Sequence, residues 1–146
     1  MIKLAVFDLD GTLSNCEHRR HYVMTKPKNW PAFNRKMHLD TPYQDIILMS
    51  QILQQAGFMN VMATGRGAEN REVTTKWLVE HQVPFSKLYM RPEKDSRSDD
   101  IVKVEILNQI IDEYGKPVYW FDDRQQVVDA IRNQGIRVLQ VAAGNF

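Results

Sequence analysis

Leu4–Thr12 reads LAVFDLDGT, and its reading decides the fold. Four apolar residues run into Asp8, and a second carboxylate follows at Asp10 before Gly11 and Thr12. A short apolar run bounded by turn residues is the pattern of a buried strand. Such a strand should not end in two carboxylates unless something holds their charge, because an unpaired buried carboxylate is costly. A bound cation would offset that cost, and hard carboxylate oxygens suit magnesium. Gly11 permits a tight turn directly after the strand. In a parallel α/β sheet, the carboxyl ends of the strands are where sites are built.

Outward from this stretch, apolar runs alternate with helical patterns. Strands are expected at Ile2–Phe7, Asn60–Ala63, Lys87–Met90, Val118–Phe121 and Ile136–Val141. Helices are expected at Tyr43–Gln55, with Pro42 at its start, and at Glu69–His81, Asp99–Tyr114 and Gln125–Gln134. The inward positions are Val73, Trp77 and Leu78 in the second helix, and Ile101, Val104, Leu107, Ile110 and Ile111 in the third. Thr64–Gly67 and Arg91–Ser98 read as loops. Strands alternating with such helices predict a parallel sheet covered on both faces, three layers in all. Ser14–Asp40 differs in character and reads as a short helical cap insertion, with Trp30, Phe33 and Met37 on one helix face. Trp30 and Phe33 suit either stacking on a nucleobase or anchoring the cap. His18 and His21 have no third ligand at zinc spacing.

Length and charge narrow the function classes. A chain of 146 residues is expected to form one domain, 1–146, with the cap at 14–40 inside it. Nineteen basic and 18 acidic residues leave a formal charge of +1, which gives no global field for non-specific duplex binding. The single cysteine, Cys16, fits a reducing compartment. There is no signal-peptide pattern and no apolar run of membrane length. The expected location is the cytoplasm.

Polar groups gather where the strands end: Asp8 and Asp10 after the first, Thr64 and Arg66 after the second, Asp122 and Asp123 after the fourth. Lys103 lies one turn into the helix that begins at Asp99, and the i, i+4 spacing puts Asp99 and Lys103 on one face. Carboxylates that meet at one point repel unless a cation joins them, so Mg²⁺ is the expected cofactor. The set suits phosphoryl transfer: one carboxylate attacks phosphorus, another moves protons, and a lysine and a hydroxyl steady the phosphoryl oxygens.

FDLDGT resembles the first motif of the haloacid dehalogenase (HAD) superfamily of phosphotransferases. The resemblance implies a Rossmann-like fold, with Asp8 as nucleophile and metal ligand. Asp10 is then general acid and base, and a ligand through its carbonyl. Thr64 is the phosphate-binding hydroxyl, Lys103 the catalytic lysine, Asp122 a metal ligand and Asp123 its neighbour acting through water. TGR (Thr64–Arg66), SDDIVKVEI (Ser98–Ile106) and YWFDDRQQVVDAIRNQGIRVLQVAAGNF resemble, more narrowly, the phosphatase domain of bacteriophage polynucleotide kinase/phosphatase. That likeness implies a 3′-phosphatase acting through an aspartyl-phosphate on polynucleotide ends or nucleotides. It makes Arg19 and Arg66 substrate-binding and Asp99 a support for Lys103, and it places the protein in the host cytoplasm if phage-encoded. The alternatives are a small-molecule nucleotidase or other metabolite phosphatase, and a non-catalytic phosphate-binding protein. The cap sequence differs from that of the phage enzyme, and no G-x-x-x-x-G-K-[ST] loop is present, so kinase activity is not expected. The expected partner is a phosphorylated nucleic acid end or nucleotide; there is no membrane partner, and no protein partner is inferable.

Overall fold

The structure, a computed structural model, describes residues 1–146. The first strand, β1 (Lys3–Phe7), lies at the centre of a five-stranded parallel sheet. On one side it pairs with β4 (Phe58–Gly67), which pairs with β5 (Lys87–Arg91). On the other it pairs with β6 (Tyr119–Asp122), which pairs with β7 (Val138–Gln140). Alternate residues of β1 point to opposite faces. Leu4 and Val6 pack beneath α5 (Asp99–Tyr114) and α6 (Gln125–Asn133), in a core that includes Ile106, Ile110, Val128 and Ile131. Ala5 and Phe7 meet α3 (Gln44–Gln55) and α4 (Arg71–Glu80) through Ile47, Trp77 and Leu78. These are the expected three layers, a Rossmann-like parallel sheet with a helical cap.

The cap begins at β2 (Ser14–Asn15) and returns at β3 (Thr41–Pro42), which pairs antiparallel with it. Pro42 therefore belongs to this clasp, and α3 starts two residues later. Between the two strands lie α1 (Glu17–Met24), α2 (Trp30–Arg35) and a 3₁₀ turn at Met37–Leu39. The only buried residue of α1 is Arg19, so a charge rather than an apolar stripe fixes that helix. In α2, the Asn29 side chain accepts from the Ala32 amide at 3.1 Å and Pro31 fits the first turn. Met37 is buried but lies beyond the end of α2, while Trp30 is exposed, so the three expected cap residues do not share one helix face.

Two further differences bear on the site. β4 continues through Thr64–Gly67, the expected loop, with an irregular register between Thr64 and Gly67. In α5 the inward face is Val102, Lys103, Ile106, Leu107 and Ile110, while Ile101 and Ile111 are exposed. A stripe drawn through apolar residues alone is rotated by one position, because the true stripe contains a lysine. In α4 it is Thr74, not Val73, that joins Trp77 and Leu78 in full burial.

Candidate active site

The carboxyl ends of β1, β4 and β6 and the start of α5 meet at one edge of the sheet. After β1 the chain turns sharply at Gly11, which has φ +87°. A β-carbon there would lie 2.1 Å from Asp123 Oδ2, so the turn needs both the conformation and the bareness of glycine. This close approach brings the β1 and β6 loops together.

The first of two charge clusters lies inside that edge. Lys103 Nζ donates to Asp8 Oδ1 at 2.9 Å and to Asp122 Oδ2 at 3.0 Å, and its side chain is 0% exposed. Thr12 Oγ1 donates to Asp8 Oδ2 at 3.2 Å, and the Trp120 indole N–H to Asp122 Oδ2 at 3.2 Å. Asp8, Asp122 and Asp123 each present an oxygen within 4.8 Å of the others. Burial, then the Asp122 charge, push the Asp8 carboxyl well above the usual carboxylate range, against the opposing pull of Lys103. The same two causes raise Asp123 to about 6. Burial opposes the Lys103 charge, but Asp122 and Asp8 outweigh it and hold the ammonium firmly protonated. Counted as ionised, three carboxylates and one ammonium leave this cluster two formal negative charges in excess, and burial together with this excess raises Asp8 and Asp123. A divalent cation held by oxygen ligands matches both that charge and the donor set, so Asp8, Asp122 and Asp123 could hold one.

The second cluster is balanced. Arg66 Nη2 donates to Asp10 Oδ1 at 2.7 Å, and Arg19 Nη2 to the same oxygen at 2.6 Å. Behind them Asp40 accepts from Arg19 Nε at 2.8 Å and Nη2 at 2.7 Å, from Arg66 Nη2 at 3.3 Å, and from the Ser14 hydroxyl. His18 Nε2 lies 2.7 Å from Asp40 Oδ1. Two guanidiniums thus meet two carboxylates, and the cap is joined to the body through charge. Burial favours the neutral Asp10 carboxyl, but Arg66 and then Arg19 override it and lower the pKa from 3.8 to about 2. A depressed carboxyl adds stability above its unfolded pKa and loses it as pH falls toward the folded value. The difference corresponds to on the order of 2 kcal/mol. Wild-type protein should therefore lose stability between about pH 4 and pH 2 more steeply than Asp10→Asn. Parallel melting-temperature curves for the two would contradict this.

The structure brings together Asp8, Asp10, Lys103, Asp122, Asp123, Thr64 and Arg66, all placed at this edge by sequence. Thr64 is buried, and its hydroxyl oxygen accepts from the Arg66 amide at 3.1 Å. One placement, that of Arg19, differs from expectation. The Asp123 carboxylate stands in the acidic cluster beside Asp8 and Asp122. The Asp10 carboxylate faces the arginines, which leaves to its backbone carbonyl the ligand part that the resemblance implies. Arg19 has a side-chain exposure of 0%, and its forked contact is made to Asp10 and Asp40. Asp99 makes no hydrogen bond to Lys103. It pairs with Arg91 at 3.4 Å and Arg124 at 3.8 Å, and acts on the lysine through its field. Its carboxylate packs on Gly65, where a β-carbon would approach Oδ1 to 2.2 Å. Asp40, Thr12 and Ser14 were not singled out by sequence. Asp40 ends the insertion outside any motif, and only the folded pairing of β2 with β3 sets it beside Arg19.

A parallel sheet with a two-carboxylate turn after its central strand, a lysine from a later helix and an acidic pair after β6 defines a HAD-superfamily phosphatase fold. Within it, the chain belongs to the family described as the polynucleotide kinase PNKP phosphatase domain, which matches residues 2–146. Two chains in structures of the Pnkp1/Rnl/Hen1 RNA repair complex are each 28% identical, with TM-scores of 0.85 and 0.84. They align with 100% and 99% of this chain, which covers 44% and 47% of theirs, so it spans about half their length. CbbY from Rhodobacter sphaeroides, in complex with phosphate, shares the fold at 14% identity and a TM-score of 0.66, over 100% of this chain and 88% of its own. The expectation that no protein partner is inferable is corrected by these neighbours, since the two most similar of them are chains of a multiprotein complex. No helix is long and apolar enough to cross a membrane.

Proposed function

We propose that residues 1–146 act as one phosphatase domain, capped by residues 14–40, that removes the 3′-phosphate from polynucleotide ends or nucleotides with Mg²⁺ as cofactor. The observation that carries this reading is the Asp8 carboxylate, shared between Lys103 and the acidic cluster at the end of the central strand. Membership of the PNKP phosphatase family supports the substrate class. Similarity to chains of an RNA repair complex supports work beside protein partners.

In the proposed reaction Asp8 attacks phosphorus, the bond from phosphorus to the 3′-oxygen breaks, and an aspartyl-phosphate forms. Asp10 gives its proton to the departing 3′-oxygen. It then takes one from water, which attacks phosphorus and releases phosphate and Asp8. At rest Asp10 is ionised by Arg66 and Arg19. The charge of an incoming phosphate favours its proton-bearing form, and the same arginines fix where it points. Mg²⁺, held by Asp8, Asp122 and Asp123, would draw charge from a phosphoryl oxygen. Lys103 and the Thr64 hydroxyl would steady the others.

The test compares a 3′-phosphorylated oligonucleotide, its 5′-phosphorylated counterpart and an aryl phosphate, with Mg²⁺ and after chelation. The expected result is Mg²⁺-dependent hydrolysis, with the 3′-phosphorylated strand the better oligonucleotide by at least ~10-fold in kcat/KM, the scale of one well-placed charge-assisted contact. Equal kcat/KM for the two oligonucleotides would remove the 3′ assignment. Full turnover after exhaustive chelation would remove the metal.

A further inference from the structure

The near-neutral charge of the chain conceals a segregation. Six of its 19 basic residues but only two of its 18 acidic ones lie in 14–40, so the cap carries +4 and the remainder −3. Arg19 is consumed by Asp10 and Asp40, and Arg20 pairs with Glu17 at 2.7 Å. Lys26, Lys28, Arg35 and Lys36 are exposed, and no carboxylate pairs with any of them. Among these cations stands Trp30, 49% exposed, whereas Trp77 and Trp120 are buried at 2% and 0%. Lys28 Nζ lies 5.7 Å from the centroid of its ring.

Trp30 is also mechanically joined to the site. Its ring meets Phe33 edge-on, with centroids 5.5 Å apart and planes at 88°. Phe33 in turn carries the Arg19 guanidinium, 4.2 Å from its centroid, and Arg19 holds Asp10 at 2.6 Å. The inner aromatic therefore anchors the cap, and the outer one presents its ring to solvent. An exposed ring among unpaired cations is what a single strand uses: bases stack on the ring and phosphates meet the cations. An acidic protein surface would use the cations but gain little from the indole face.

Resting on the reading of the site given above, we propose that the cap binds the strand as well as covering the site. Trp30 stacks on a base of the single strand whose terminal phosphate enters the site, and Lys26, Lys28, Arg35 and Lys36 hold its phosphodiesters. This contact makes the enzyme prefer a polynucleotide end to a mononucleotide.

The test uses an unphosphorylated single-stranded octanucleotide, of DNA and of RNA, and the emission of Trp30, the only tryptophan such a ligand reaches. Binding should quench emission in the wild type. Trp30→Ala should weaken binding, followed by anisotropy, by ~10-fold, the scale of one base–aromatic stack. Trp30→Phe keeps a ring and should bind within about threefold of wild type. Lys26→Ala with Lys28→Ala should lower the slope of log affinity against log salt by about 1.4, as expected for losing two single-strand phosphate contacts. In turnover, the wild type should favour a 3′-phosphorylated octamer over a 3′-mononucleotide, and Trp30→Ala should shrink that ratio through KM. Circular dichroism monitors the fold of each variant. No quenching, equal binding by Trp30→Ala, or equal competition by polyglutamate would overturn the platform, as would preference for vesicles of anionic lipid. Hydrolysis of the 3′-phosphorylated octamer with no dependence on Trp30 would overturn the platform alone. Quenching without hydrolysis of any 3′-phosphate would overturn the reading of the site.

Discussion

Asp8→Asn should lose at least ~10³-fold in kcat while remaining folded, the scale seen when a nucleophile or its charge partner is disabled. The amide is a poor nucleophile and a weak ligand for a hard cation, so one substitution removes both roles proposed for Asp8. The fold should survive because the native carboxylate is a burden before it is an asset. Burial and Asp122 both disfavour its charge. Lys103 keeps its 3.0 Å contact with Asp122 in the variant, and two carboxylates repel less than three. Without metal, Asp8→Asn should melt at or above the wild-type temperature. Mg²⁺ should raise the melting temperature of the wild type by mass action, and that of the variant much less. Phosphate release at saturating Mg²⁺ and melting curves with and without Mg²⁺ check both halves. Turnover within tenfold of wild type would remove Asp8 from the chemistry.

Asp40→Ala should be the most damaging change outside the acidic cluster. The Asp40 side chain is 0% exposed and supports two guanidiniums whose own side-chain exposures are 0% for Arg19 and 2% for Arg66. Its loss leaves both arginines on Asp10 alone and strands the partners His18 and Ser14. Breaking a buried charge network from one side costs about 3–5 kcal/mol. Asp40→Asn retains the shape but turns amide hydrogens toward guanidinium hydrogens, so it should be destabilised in the same direction. At temperatures where the variants remain folded, displacement of Asp10 should cost ~10²-fold in kcat, as expected for a catalytic group misplaced by about 1 Å. Chemical denaturation and kcat at low temperature measure the two effects. An Asp40→Ala protein of unchanged stability would show that the arginines do not need it.

Particular residues show where sequence sufficed. Asp8 and Asp10 follow β1 directly, and Asp122 and Asp123 stand at the end of β6; a strand in a parallel sheet has one carboxyl end, so periodicity carried them to one edge. The bounds expected for α5, 99–114, are those observed. Its inward face was misplaced because Lys103 occupies a core position. A buried lysine is held there by two carboxylates from β1 and β6, contacts made across 95 and 19 residues of sequence. Asp40 was missed for the same reason. Its partners lie 21 to 26 residues away in either direction, and no local pattern marks an acid that will be buried between arginines. β4 ran past its expected end because Thr64–Gly67, rich in glycine, looks like a loop yet finds a partner edge in β5. Local spacing is legible where the strand itself supplies the geometry. It fails where charge pairing over long separations decides what is buried.

The measurement that bears most directly on the reading of Asp8 as a nucleophile is capture of the phosphorylated protein. Wild type would be mixed with an oligonucleotide carrying a radiolabelled 3′-phosphate, quenched during turnover and reduced with borohydride, which converts an aspartyl-phosphate to homoserine. The labelled or reduced site would then be located by peptide sequencing. Mg²⁺-dependent modification is expected at position 8 and should be lost in Asp8→Asn. Full turnover with an unmodified Asp8, or modification at another carboxylate, would contradict that reading.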